Sequence, residues 1–158
     1  MTRSIIRLAV CIAFCLGVGL VSGWVTYPAI PTWYAGLTKP SWTPPNWAFP
    51  VVWNILYIMM GISLWLLWDK PHELSARRSA IILFFAQLAL NAAWSPVFFG
   101  LHQTRIALAI IIAMVAAIVA TIAYAWRAHD LAGWLLVPYL GWVIHAASLN
   151  SGIISLNP

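Results

Sequence analysis

In the segment FFAQLALNAAWSPVFFG, Gln87, Asn91, Trp94, Ser95 and Phe98 fall at i, i+4, i+7, i+8 and i+11, the spacing that puts side chains on one face of a helix. A second face lies in GWLLVPYLGWVIHAASLN, where Pro138, Trp142, His145, Ala146 and Leu149 share a side, and the small Ala146 leaves room beside the Trp142 indole. Trp53, Tyr57 and Gly61, at i, i+4 and i+8, make a third. Amides and aromatic rings offer hydrogen bonds and flat apolar surface, and stacking on such rings adds about 0.5–1.5 kcal/mol per pair beyond area burial. They suit a large, flat, mostly apolar ligand. Plainer readings compete with this one. The amides could make interhelical hydrogen bonds, worth about 0.6 kcal/mol on average in a membrane protein, and Trp53 and Tyr57 could form an aromatic packing ridge. His145, the only histidine inside an apolar segment, reads first as a hydrogen-bonded packing residue. Imidazole can ligate haem iron, but no Cys-x-x-Cys-His sequence or second histidine of that kind supports it. Gln, Asn and Trp together on one stripe favour a cavity wall.

Acid–base chemistry has little to work with. Asp69, Glu73 and Asp130, the only carboxylate side chains, fall in links between apolar segments. No Gly-rich phosphate loop, metal-ligand spacing or nucleophile elbow is present, and nothing calls for a metal or a resident cofactor.

The elements that must position these faces are membrane helices. The 158 residues are 63% hydrophobic and 7% charged, with a mean hydropathy of +0.90, far short of the roughly one quarter charged residues of a soluble domain. A span needs about 20 mostly apolar residues, and five segments qualify, near residues 5–25, 51–68, 79–100, 106–126 and 132–154. The sequence therefore predicts an all-α membrane protein, a single five-helix transmembrane domain over 1–158 with a long ordered loop between the first two helices. Links elsewhere are short, which predicts antiparallel neighbours packed in sequence order. The fourth segment, with Thr121 as its lone polar side chain, reads as a lipid-facing strut. Gly19-x-x-x-Gly23 has the spacing of close helix packing, within the chain or at a dimer seam. Cys11 and Cys15, at i,i+4, read as packing residues rather than a disulfide.

Arg3, Arg7, Lys70, Arg77, Arg78 and Arg127 fall on one side of this bundle, and Lys39 and Arg105 on the other. That bias puts the N-terminus in the cytoplasm and the 26–48 loop and C-terminal end opposite. It also explains the net charge of +5 without nucleic acid. The first segment has a basic start like a secretory signal, but its apolar core is long and no A-x-A-like site follows, so it is read as a retained helix.

The 26–48 loop carries prolines at 28, 31, 40, 44 and 45 among Trp33, Tyr34, Trp42 and Trp47. Prolines lower the entropy lost on ordering, and the aromatics favour burial or the membrane interface. The loop is expected to be a stiff, extended lid that ends near Asn46. With Trp33, Tyr34, Trp42 and Pro44 it would cap a pocket between the helices.

Three stretches, WYAGLTKPSWTPPNWAFPVVWNILY (33–57), QLALNAAWSPVFFG (87–100) and WLLVPYLGWVIHAASLN (134–150), closely resemble the translocator protein family, also called the tryptophan-rich sensory protein or peripheral benzodiazepine receptor family. The likeness covers nearly the whole chain in the same order. It implies a five-helix bundle, often dimeric, with a pocket closed by the first loop. It also implies porphyrin ligands such as protoporphyrin IX, and for eukaryotic members cholesterol and benzodiazepine-type drugs. Family pocket positions fall on Tyr34, Trp53, Tyr57, Asn91, Trp142 and Ala146, and the tryptophans implicated in porphyrin breakdown on Trp53 and Trp142. Proposed family roles include tetrapyrrole or sterol transport, stress sensing and light-dependent porphyrin degradation.

Two departures stand out. The sterol motif of animal members needs a tyrosine and a basic residue at the end of the fifth helix, where this chain reads LNSGIISLNP. His145 occupies a position where an apolar or aromatic residue is expected. The resemblance and the charge bias together imply a bacterial cytoplasmic-membrane member that binds a porphyrin or other flat apolar molecule. A porphyrin-degrading activity or a tetrapyrrole or lipid transporter are the alternatives, the last weakened by the lack of an inverted repeat or buried ionisable relay.

Overall fold

The computed structural model describes residues 2–69 and 74–158; Lys70, counted above on the basic side, lies outside them. The chain is an all-α integral membrane protein, with five helices among the described residues long and apolar enough to span a bilayer. These are α1 (Thr2–Thr26), α3 (Ala48–Asp69), α4 (Leu74–Ser95), α5 (Thr104–Ala128) and α7 (Val137–Leu156), while α2 (Trp33–Gly36) lies in the first loop and α6 (Asp130–Trp134) leads into α7.

Prolines set several boundaries. Pro50 is the third residue of α3, where its missing N–H breaks no intrahelical bond. Pro138 likewise occupies the first turn of α7, so the fifth span is interrupted at Leu135–Leu136 rather than running unbroken from 132. Pro96 does not end the third span. The chain continues through Pro96–Gly100 as a π turn, closed by the Leu101 N–H on the Pro96 carbonyl at 2.9 Å. The wider turn accommodates the ring and turns Phe98 inward, where it is buried.

Packing follows chain order except between α3 and α4. α1 lies along α3, α4 along α5, and α5 along α7, whereas α3 meets α4 and α7 only over short stretches. Small residues fix the α1–α3 contact. A Cβ on Gly61 would sit 2.6 Å from the Ile12 Cα, and one on Gly19 would meet the Tyr57 ring, so Gly19 serves packing within the chain. The start of α1 is tied to the end of α3 by Arg7, 2.7 Å from the Asp69 carboxylate and stacked over Trp68, with Ser4 also bonded to Asp69.

α5 is not a lipid-facing strut. Ala107, Ile111, Met114, Ile118, Ile122 and Ala125 are buried at three- and four-residue spacing, and Thr121 bonds its own helix at the Ala117 carbonyl. A helix apolar on every side gives no periodic contrast from which the buried face could be read. Cys11 and Cys15 are buried and unpaired, in the core with Tyr57 and Met60.

Gly61→Ala and Gly17→Ala separate packing from propensity. Both gain about 0.5–1 kcal/mol of helix propensity, and Gly17 has open space around it. Gly61→Ala overpacks against backbone, which costs about 1–3 kcal/mol. Thermal unfolding in detergent, followed by tryptophan emission, should show a lower Tm for Gly61→Ala and an equal or higher Tm for Gly17→Ala.

Candidate ligand-binding site

The shortage of contact between α3 and α7 leaves a cavity of about 750 Å³. α3 contributes Phe49, Trp53 and Tyr57, α4 contributes Asn91, Trp94 and Ser95, and α7 contributes Trp142, Val143, Ala146, Leu149, Asn150 and Ile153. Gly19, Ser22 and Gly23 of α1, Ile111 and Met114 of α5, and Phe98 and Phe99 of the π turn complete the wall. No Asp, Glu, Lys, Arg or His among the described residues lines it.

Polar side chains at the inner wall are bonded to one another. The Tyr57 hydroxyl donates to Asn91 Oδ1 at 2.6 Å, Asn91 Nδ2 donates to the Tyr139 hydroxyl at 3.1 Å, and Tyr139 donates to Gln87 Oε1 at 2.7 Å. Higher up, Trp94 Nε1 donates to Asn150 Oδ1 at 3.3 Å, and Asn150 Nδ2 to the Thr104 carbonyl at 2.9 Å. Asn91 and Asn150 thereby spend both ends of their amides on the protein. Trp142 Nε1 is buried with no acceptor among the described residues.

The rings converge in two groups. Trp53 stacks on Tyr57 at 5.5 Å between centroids and meets Tyr139 edge-on at 6.2 Å, while Phe49 meets Trp142 at 5.9 Å. At the loop end Trp94 stacks on Phe98 at 5.0 Å, and Tyr34 leans on Phe99 at 5.6 Å. Trp24, Tyr27 and Trp47 also line the cavity, yet each is at least 70% exposed. The mouth therefore opens between the loop ends of α1 and α3.

Tyr34, Trp53, Tyr57, Asn91, Trp94, Phe98, Trp142 and Ala146 all line this one space; Trp33, Trp42, Pro44, Gln87 and His145 do not. Gln87 is buried one turn deeper, against Tyr139. Trp33 stands behind Phe98 and stacks on His102 at 4.2 Å. His145 lies beside Trp142 with centroids 5.6 Å apart, half-buried at the edge of the helix face that meets the cavity. Trp42 packs across the far side of α7, where its Nε1 donates to Ser148 at 3.3 Å.

The loop is thus a lid in two parts and not a uniformly extended one. Tyr34, on the short α2, faces the cavity, and burial pushes its phenol pKa up, so it stays a neutral donor. Residues 38–43 form a latch on α7. Thr38 and Asn157 exchange two hydrogen bonds, at 3.0 and 2.9 Å. Pro40 is buried against Gly152, where any Cβ would collide with its ring.

Sequence reasoning passed over Tyr139, Asn150 and the α1 wall. Asn150 was legible as Ala146 plus one turn. Tyr139, in an apolar stretch beside Pro138, carried no polar pattern to mark it as the centre of a network.

The TspO/MBR family model matches residues 11–156. The chain belongs to the TspO/MBR family. It is 41% identical to the tryptophan-rich protein TspO of Archaeoglobus fulgidus over 154 residues, 98% of this chain and 99% of that one. It is 40% identical to its Chlorobaculum tepidum namesake over the whole of both chains. Against the translocator protein of Homo sapiens the identity is 40% over 119 residues, 75% of this chain and 70% of the human one. The matched region of this TspO/MBR chain contains every cavity-lining residue and the hydrogen-bonded wall behind them.

Tyr139→Phe leaves Asn91 Nδ2 and Gln87 Oε1 each short of a partner, and Tyr57→Phe leaves only Asn91 Oδ1. A buried polar group stranded in this way costs about 1–3 kcal/mol. Chemical or thermal unfolding in detergent should therefore rank Tyr139→Phe below Tyr57→Phe, with both below the parent protein.

Proposed function

We propose that this TspO/MBR member is a membrane receptor for porphyrins, protoporphyrin IX-like tetrapyrroles, and related flat apolar molecules. The observation that carries the reading is the 750 Å³ cavity with Trp53, Trp94 and Trp142 on its walls and no charged side chain among the described lining residues. Small-molecule pockets run to about 300–1,000 Å³ and are mostly apolar, with a few placed polar groups. The amides of the inner wall are already bonded to protein, so a ligand body there gains from stacking and apolar burial. Trp142 Nε1 is itself buried, so what Trp142 offers such a ligand is ring surface. Ligand carboxylates would sit towards the mouth, at Trp24, Tyr27 and Trp47. On this reading Tyr34, Trp53, Tyr57, Asn91, Trp94, Phe98, Trp142 and Ala146 contact the ligand. Trp33, Gln87 and His145 support those contacts, and Trp42 and Pro44 hold the lid.

A second reading, light-dependent degradation of the bound porphyrin, draws support from Trp53 and Trp142 lining the same space, since oxidisable indoles would stand beside the ring. The basic bias supports a cytoplasmic N-terminus in a cytoplasmic membrane. The homodimer rests on the family resemblance.

Titration of the detergent-solubilised protein with protoporphyrin IX in the dark should quench tryptophan emission saturably. Ala146→Phe, which fills the space beside Trp142, should weaken binding at least tenfold, a change of about 1.4 kcal/mol, without lowering Tm by more than a few degrees. Unchanged affinity in a folded Ala146→Phe would rule out this cavity as the site. Under illumination, loss of the porphyrin absorbance band that stops in Trp53→Phe or Trp142→Phe, with dark binding retained, would establish the second reading; equal loss in all three proteins would dismiss it.

A further inference from the structure

Between the latch and the outward face of α7 runs a second, shallower groove of about 680 Å³, separate from the ligand cavity. Lys39 and Trp42 form its loop side, and Ser148, Ser151 and Ser155 its helix side. The three serines are exposed on consecutive turns, Trp42 is 54% exposed, and the exposed Leu156 closes one end.

Lys39 lines this groove, and its ammonium is held at the α2 end. Its ammonium donates to the Ala35 and Leu37 carbonyls at 3.4 and 3.1 Å and lies 4.9 Å over the Tyr34 ring. Those bonds use two of its three donors and hold the charge in place. The sequence puts Asp69, Glu73 and Asp130 on links of the opposite side of the membrane, so no acidic side chain stands on this side to pair with it. The serines are committed differently. Ser148 Oγ donates to the His145 carbonyl at 2.7 Å, and Ser155 Oγ to the Ser151 carbonyl at 3.1 Å. With those protons spent, Ser155 Oγ presents its lone pairs, and Ser148 Oγ, which already accepts from Trp42 Nε1, keeps one. The groove therefore offers one fixed cation for an anion and, a few residues along, acceptors for a donor.

We propose that this groove is a phospholipid headgroup site, selective for heads that carry hydrogen-bond donors beyond the phosphate. Lys39 takes the phosphate, Ser148 and Ser155 accept from the ammonium or hydroxyls of the head, and the acyl chains run down the apolar flank of α7. Each half of the site belongs to a different element, so a bound head bridges the latch to α7 and holds the lid shut. The site stands independently of what the main cavity binds.

Native mass spectrometry of the full chain in detergent, titrated with phosphatidylethanolamine or phosphatidylcholine, tests this directly, because the two heads differ only in N-methylation. The parent protein should retain phosphatidylethanolamine about tenfold better, the equivalent of one or two hydrogen bonds. Ser155→Ala, which removes an exposed acceptor, should shrink that preference at least threefold. Lys39→Gln should lower retention of both lipids at least fivefold and raise deuterium uptake in residues 37–43, while Arg105→Gln, the other cation of this side, should change neither. Equal retention of the two lipids by the parent protein, or equal losses in Lys39→Gln and Arg105→Gln, would overturn the proposal. If Lys39→Gln fails to fold, Lys39→Arg, which keeps the charge and should keep phosphate retention, carries the same comparison.

Discussion

A hydroxyl or amide in hydrocarbon has no water to turn to, so it must find its partner in the protein. The line from Tyr57 through Asn91 and Tyr139 to Gln87 meets that demand with one residue of α3, two of α4 and one of α7, except at Gln87 Nε2, which is buried with no partner among the described residues. The Tyr139 hydroxyl also approaches the Met114 sulfur of α5 at 3.4 Å. Directional bonds thus join α3, which meets α4 and α7 only over short stretches, to the other helices of the wall. Tyr57 and Asn91 both line the cavity, yet their polar atoms are engaged with each other. What they present inward is ring face and amide edge, so the network also accounts for the apolar character of a cavity built partly from polar residues.

The lid depends on a different balance. Its prolines reduce the entropy lost on ordering, which allows a few modest contacts to hold it. Two bonds between Thr38 and Asn157, one between Trp42 and Ser148, and the fit of Pro40 against Gly152 act over one short stretch of α7. The cavity-facing part, around Tyr34, is anchored separately, through Phe99 and the stacked Trp33–His102 pair. Closure and latching thus belong to different residues of one loop, and the latch can loosen without displacing Tyr34.

The number of spans, the long ordered loop and the aromatic faces were legible because each rests on local chemistry: run length, proline content, or a three-to-four residue spacing. The inward faces of α3, α4 and α7 were read from Trp53, Asn91 and Trp142, where polar or bulky residues contrast with plain aliphatics. Three things were not legible. The buried face of α5 has no such contrast. The close approach of α1 to α3 follows from Gly61 and Gly19, whose partners are remote in sequence. Trp42 reads like any other loop indole until the fold puts Ser148 beside it. Gln87 shows the limit of helical spacing as a guide: it shares the Asn91 face, but it sits one turn too deep to reach the cavity and completes the network behind it.

The crossing of α1 over α3 explains why the cavity lies where it does. Gly61 lets the helices meet at Ile12, and Gly19 lets them meet again at Tyr57. Beyond Gly19, towards the loop, larger residues face each other: Leu20 and Trp24 on α1, Trp53 and Pro50 on α3, all lining the void. A Cβ on Gly23 would meet no heavy atom within 4 Å, so Gly23 marks the splay and not a contact. The inner limit of the mouth is therefore set by the last glycine contact. At Gly19 packing and binding geometry cannot be altered independently, because a side chain there would push Tyr57 and with it Asn91. At Ala146, across the cavity, a larger side chain meets open volume first, and the helix contacts that hold the bundle together are left as they were.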